Sequence, residues 1–136
     1  MSRDRRRPHC RALLALALAL APLAACQSKD AKLAEHQSRG EAYAKEGKNP
    51  EAVIEFKNVL QLDPNQAKAH YGLAKAYLAQ NDLSRGYWEL RETARIDPSN
   101  LEAKLQYGQL SRLAGELDEA LKQADDLIAA QPDKAP

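Results

Sequence analysis

The side chains in this 136-residue sequence that could carry chemistry are few. They are the thiols of Cys10 and Cys26, the imidazoles of His36 and His70, and a run of carboxylates, Glu116, Asp118, Glu119, Asp125 and Asp126. A histidine pair raises metal ligation, but no third ligand accompanies it at metal spacing. His36 and His70 are therefore expected to be core or half-buried. The carboxylates fall on the solvent side of helical periods, a pattern that matches a solvated surface better than an acid/base pair. No glycine-rich phosphate loop, nucleophile elbow or Cys–His arrangement occurs. The expectation is no catalysis, no metal site and no cofactor.

The chemistry open to Cys26 depends on what precedes it. Arg3, Arg5, Arg6, Arg7 and Arg11 form a basic head, and Ala12 to Ala21 is an unbroken run of Ala and Leu. This is the layout of a secretory signal peptide. The run is too short for a permanent span, which needs about 20 residues. Leu23-Ala24-Ala25-Cys26 follows directly and resembles the lipobox of bacterial lipoproteins. The resemblance implies a signal peptide over residues 1–25, removed before Cys26, and a lipid thioether on Cys26. Two or more acyl chains hold a protein stably on a membrane. Residues 26–32 then read as the lipidated cysteine and a polar tether. Gln27 stands where inner-membrane lipoproteins carry a retaining aspartate, so the resemblance implies the periplasmic face of the outer membrane. The alternative is ordinary cleavage after Ala25, with Cys26 a free thiol. On either reading Cys10 leaves with the signal, and no disulfide can form within one mature chain.

The formal net charge of +1 conceals an asymmetry. Without the arginine-rich head the balance turns acidic, so nucleic acid is not an expected partner. Aromatic residues are 5% of the chain, and Ala and Leu supply most of the apolar surface. That mix suits close helix packing rather than a sheet.

The elements that hold these residues are written in a repeat. Leu62-Asp63-Pro64, Ile96-Asp97-Pro98 and Ala130-Gln131-Pro132 recur every 34 residues. A fixed period in this range marks a repeat array. Gly47-Lys48-Asn49-Pro50 combines a glycine helix stop with a proline helix start. Asn81-Asp82 and Gly115-Glu116 occupy the same slot in the next blocks. Asp63-Pro64-Asn65 and Asp97-Pro98-Ser99-Asn100 separate the blocks and are expected to cap the helices that follow. The pattern predicts helices near 33–46, 51–62, 67–80, 83–96, 101–114 and 117–130.

Blocks 33–66, 67–100 and 101–134 each resemble a tetratricopeptide repeat. The marked positions are filled in the first block by Gly40, Tyr43, Ala52, Phe56 and Pro64. The second has Leu73, Ala74, Tyr77, Leu90 and Pro98, and the third has Tyr107, Gly108, Ala120 and Pro132. The resemblance implies an all-α fold of three TPR helix-turn-helix hairpins, stacked as a short right-handed solenoid. It puts His36 and His70 where the family has a buried aromatic. Arg39, in place of a leucine, gives the first repeat the polar outer face of a terminal repeat.

The same resemblance implies a concave groove lined by the first helix of each hairpin. The candidate partner-binding residues are Gln37, Glu41, Lys68, Tyr71, Lys75, Leu105, Gln109 and Arg112. Chaperone-binding members of the family clamp a peptide carboxylate with Lys, Asn and Arg. The corresponding residues here are Gln37, Glu41, Gly72, Glu102 and Gln106, so that clamp is missing and a chaperone tail is not the expected ligand. Trp88 has two readings, a ring covering the adjoining helix or an exposed anchor for a partner.

Glu51 to Pro64, followed by Ala69-His70-Tyr71-Gly72-Leu73-Ala74, resembles the start of the repeat lipoproteins of exosortase gene clusters. Together these features imply a lipid-anchored envelope adaptor. It would bind a protein partner for exopolysaccharide, pilus or outer-membrane machinery. The rival reading is a structural or polysaccharide-associated envelope protein that acts through self-association, or a fragment of a longer array. The last helix bears on that rival. Leu117, Ala120, Leu121, Ala124, Leu127 and Ile128 make a stripe wider than one neighbouring helix needs. An apolar face left in water is expected to be an interface.

Overall fold

The structure, a computed structural model, describes residues 21–131. Of the expected signal peptide, residues 1–20 lie outside the described residues. So do the side chains of residues 21–28, that of Cys26 included. The chain divides into two compact units, Met1–Lys32 and Leu33–Pro136, and the packing described below belongs to the second. Among the described residues there are six α-helices and no strand. They are α1 (Ala21–Lys45), α2 (Asn49–Leu62), α3 (Ala67–Ala79), α4 (Leu83–Ile96), α5 (Leu101–Ala114) and α6 (Leu117–Ala130).

Five of these helices begin within two residues of the positions that the repeat pattern predicts. The exception is α1, which is already helical at Ala21, the first described residue, upstream of the expected start near residue 33. No Gly or Pro interrupts the chain between Leu23 and Arg39, and Ala, Lys, Glu and Gln dominate it. Those residues favour helix without any apolar period to reveal it. The tether segment 26–32 is accordingly helical backbone.

The three turns inside the hairpins share one device. Gly47, Asn81 and Gly115, each 34 residues from the next, have φ of 74°, 59° and 82°. Glycine enters this left-handed region freely, and asparagine is the next best choice. The N-termini differ. Pro50 opens α2, the Asp82 side chain accepts from the Arg85 amide at α4, and Asn100 accepts from the Ala103 amide at α5. At α3 the N-cap is Gln66 rather than the expected Asn65, and its side chain makes no capping bond. Instead Gln66 Nε2 donates to Asp63 at 2.6 Å.

From α2 onward each helix packs on the next, which gives a solenoid-like stack. Two apolar clusters run through it, and α3 serves both. Leu73, Ala76 and Tyr77 join Ala52, Val53, Phe56 and Val59 of α2. Ala74 joins Leu90 of α4 with Ala103 and Tyr107 of α5. Phe56, the only phenylalanine, is wedged between two glycines on different helices. A Cβ on Gly40 of α1 would lie 2.7 Å from its Cε1, and one on Gly72 of α3 would lie 2.5 Å from its Cζ. The ring therefore sets how closely α1 and α3 approach α2.

Candidate partner-binding groove

His36 and His70 are both half-buried, and each is bound to a glutamate on the second helix of its hairpin. Nδ1 of His36 lies 2.6 Å from Glu55 Oε2, and Nδ1 of His70 lies 2.7 Å from Glu89 Oε2. Lys104 occupies the same repeat position in the third hairpin and reaches Asp126 at 3.3 Å. Among the described residues no three metal-type side chains converge. Each histidine thus ties together the two helices of its own hairpin. Glu55 also takes Arg39 Nε at 3.2 Å, so the polar outer face of α1 is tied down on the same carboxylate.

The first helices of the first two hairpins share one open pocket of about 520 Å3. Five of the eight candidate residues line it: Gln37 and Glu41 from α1, and Lys68, Tyr71 and Lys75 from α3. The amide of Gln37 donates to Glu41 at 2.8 Å, one helical turn away. The Lys75 ammonium sits 4.7 Å from the centre of the Tyr71 ring. That distance is within cation–π range. Leu105, Gln109 and Arg112 lie further along α5 and do not line the pocket, whose far edge is made by Asp97 and Asn100 at the α4–α5 turn. Neither that edge nor the place of Phe56 and Gly72 along the wall is signalled by the repeat pattern.

Tyr71 belongs to core and groove together. Its ring packs against the second apolar cluster while it also lines the pocket. The hydroxyl is withdrawn from water without a hydrogen bond of good geometry. Burial first, and then the nearby Glu102 carboxylate, push its pKa up to about 12. The phenol is neutral at physiological pH, and with its hydroxyl buried Tyr71 presents its ring to the groove. Trp88 lies outside the groove. It is half exposed, edge-on to Tyr87 at 5.5 Å and covered by the Arg91 guanidinium at 4.2 Å.

Residues 40–81 match the TPR repeat family. The fold is that of a tetratricopeptide-repeat protein. A curated relative, the Hsp70-Hsp90 organizing protein 3 of Arabidopsis thaliana, is 24% identical over 98 residues. The match covers 72% of this chain but only 18% of that protein. Among solved structures, the second TPR domain of human RPAP3, in complex with the HSP70 peptide SGPTIEEVD, superposes with a TM-score of 0.67 at 21% identity. It covers 76% of this chain and 87% of that one. The pilF protein of Pseudomonas aeruginosa gives 0.60 at 21% identity, covering 74% of this chain and 46% of that one. At these identities the superpositions establish the TPR fold alone. TPR folds are protein-interaction scaffolds, which accords with a groove lined by amides, ammonium groups and one aromatic ring.

Proposed function

We propose that the chain is a lipid-anchored adaptor of the bacterial envelope. Acylated Cys26 holds it on the membrane, and its TPR groove binds an extended segment of a protein partner. The observation that carries the binding half is the pocket shared by Gln37, Glu41, Lys68, Tyr71 and Lys75. It offers backbone-reading amides, two ammonium groups and an aromatic wall, the equipment for holding an extended peptide. The anchoring half rests on the basic head, the Ala/Leu run and Leu23-Ala24-Ala25-Cys26. The partner belongs to exopolysaccharide, pilus or outer-membrane machinery.

The partner differs from the acidic peptide seen with human RPAP3. At the positions where chaperone-binding relatives clamp a carboxylate, this chain has Glu41 and Glu102. Two carboxylates there repel an acidic tail.

Two measurements test the proposal. Metabolic labelling with a fatty-acid probe should mark the chain, and Cys26→Ser should abolish the label and release the protein from membranes. A photo-crosslinker at Gln37 should capture a protein in the envelope fraction, and Lys68→Glu with Lys75→Glu should remove that product. Absence of lipid on the wild-type chain defeats the anchor. A crosslinked product unchanged by both lysine reversals defeats the groove.

A further inference from the structure

We infer that the exposed face of α2 and α4, centred on Trp88, docks on a bilayer surface that carries anionic phospholipid headgroups. Ser84, Trp88, Arg91 and Arg95 fall at helical spacing along α4, and all four are exposed. Pro50, Ile54, Lys57 and Gln61 hold the same repeat positions on α2 and are exposed as well. Equivalent positions of stacked repeats lie on one side of the array. A shared ring joins the two helices there. Lys57 Nζ lies 6.0 Å, and the Arg85 guanidinium 4.4 Å, from the centre of Tyr77. Ile54 is 60% exposed and Trp88 51%. Each of these large apolar side chains is followed three residues later by a cation, Lys57 or Arg91. The third hairpin breaks the pattern, with Lys122 and Asp125 at the same positions, so the face ends at α4.

Charge identifies the occupant. Glu55 and Glu89 are bound to the two histidines, and Glu92 is paired with Arg95. That leaves Glu51 as the one carboxylate of α2 and α4 without an ion pair. Lys57 has no ion pair either, and Arg91 reaches Glu92 only at 3.9 Å. The face therefore carries a positive surplus, on a chain whose balance turns acidic beyond its arginine-rich head. Arg91 lies over the Trp88 indole at 4.2 Å, so ring and guanidinium form one amphipathic unit. Indole rings favour the headgroup level of a bilayer, where phosphates can meet the cations beside them without drying them. A dry protein interface would instead strip water from Lys57 and Arg91. The groove is built on α1 and α3 and this face on α2 and α4. A chain lying on the face thus turns its groove away from the bilayer, towards a partner. The inference rests on the anchored reading only for bringing the chain to a membrane.

Trp88 is the only tryptophan, so its fluorescence reports this face alone. The chain purified from membranes is placed in vesicles of equal parts phosphatidylcholine and phosphatidylglycerol. Trp88 emission should move to shorter wavelength and be quenched by phospholipid with brominated acyl chains. Quenching should fall in pure phosphatidylcholine and as salt is raised. Arg91→Glu and Lys57→Glu should each lower the docked-to-free ratio about fivefold or more, the scale of one cation at an anionic surface. Helicity by circular dichroism should not change, since both side chains are exposed. Flotation of the vesicles reads the anchor separately. A chain that floats while Trp88 stays as in water overturns the face and leaves the anchor standing. A chain found without acyl groups should still show Trp88 quenching on phosphatidylglycerol vesicles at low salt. Quenching that both charge reversals leave intact overturns the inference. So does a crosslinker at Ile54 that captures a protein while Trp88 is unquenched, which would assign the face to a protein partner.

Discussion

Nδ1 of His70 lies 2.7 Å from Oε2 of Glu89, and the opposite edge of the ring, Nε2, lies 3.0 Å from the carbonyl of Pro64. One imidazole thus joins the two helices of its hairpin and also the turn that enters it. Both contacts favour the charged ring. The hydrogen bond to Glu89 is the largest influence, burial opposes it, and the Pro64 carbonyl and the charges of Glu89 and Glu92 add to it. The net effect holds the His70 pKa above its ordinary value.

A raised histidine pKa fixes the sign of the pH dependence. The stabilisation is complete below the unfolded pKa of about 6.5 and is lost as pH rises through the folded pKa. The thermal midpoint is expected to fall as pH is raised from about 6 to about 8. His70→Gln should flatten that slope. A parent chain with no slope in this window would show that the pair is not coupled to folding.

Glu55 sets the acid limit. Burial works to raise its pKa, but hydrogen bonds from His36 and Arg39 prevail and hold it below the usual carboxylate value. A lowered carboxylate contributes stability above its unfolded pKa and loses it as pH falls through the folded one. Glu55→Gln should therefore reduce the loss of stability on acidification below about pH 4.5, where free glutamate protonates. Acid titration followed by circular dichroism measures it.

Gly72→Ala is expected to destabilise by about 1–3 kcal/mol, the usual cost of overpacking. The Phe56 ring cannot retreat from the new methyl group, because Gly40 sits against its other side. Phe56→Leu combined with Gly72→Ala should recover part of the loss, since neighbouring residues couple. Urea denaturation of the two single variants and the double variant checks this.

Tyr71→Phe and Tyr71→Ala should separate core from groove. The phenylalanine variant removes a hydroxyl that is buried without a good hydrogen bond, so stability should hold or rise. Tyr71→Ala should lower stability by about 3 kcal/mol or more, because the ring packs in the second cluster. Partner capture should survive the phenylalanine variant, which assigns binding to the ring; loss of capture in that variant would overturn this assignment.

The repeat arithmetic carried much of the architecture. Prolines at 64, 98 and 132 and the glycine or asparagine turns located α2 to α6, because turn chemistry is local. The start of α1 was hidden, since Ala, Lys and Glu form helix on propensity and leave no apolar stripe to read. The His36–Glu55 and His70–Glu89 pairs were hidden as well. Each depends on the register between two packed helices, and a carboxylate 19 residues away in the chain is unremarkable until that register is known. The groove positions on α1 and α3 follow from helical spacing. The edge at Asp97 and Asn100 depends on where a turn falls in space.

Phe56 lines the groove pocket as well as separating Gly40 from Gly72. The ring that sets the spacing between the first two hairpins is thus packed directly behind the groove wall. Recognition and curvature share one mechanical element. A partner filling the pocket would brace the ring, and backbone amides of α1 and α3 would exchange more slowly even where they touch no ligand. A partner that needs a flatter groove would have to unseat Phe56 first, so the array should favour segments that fit the curvature it already has.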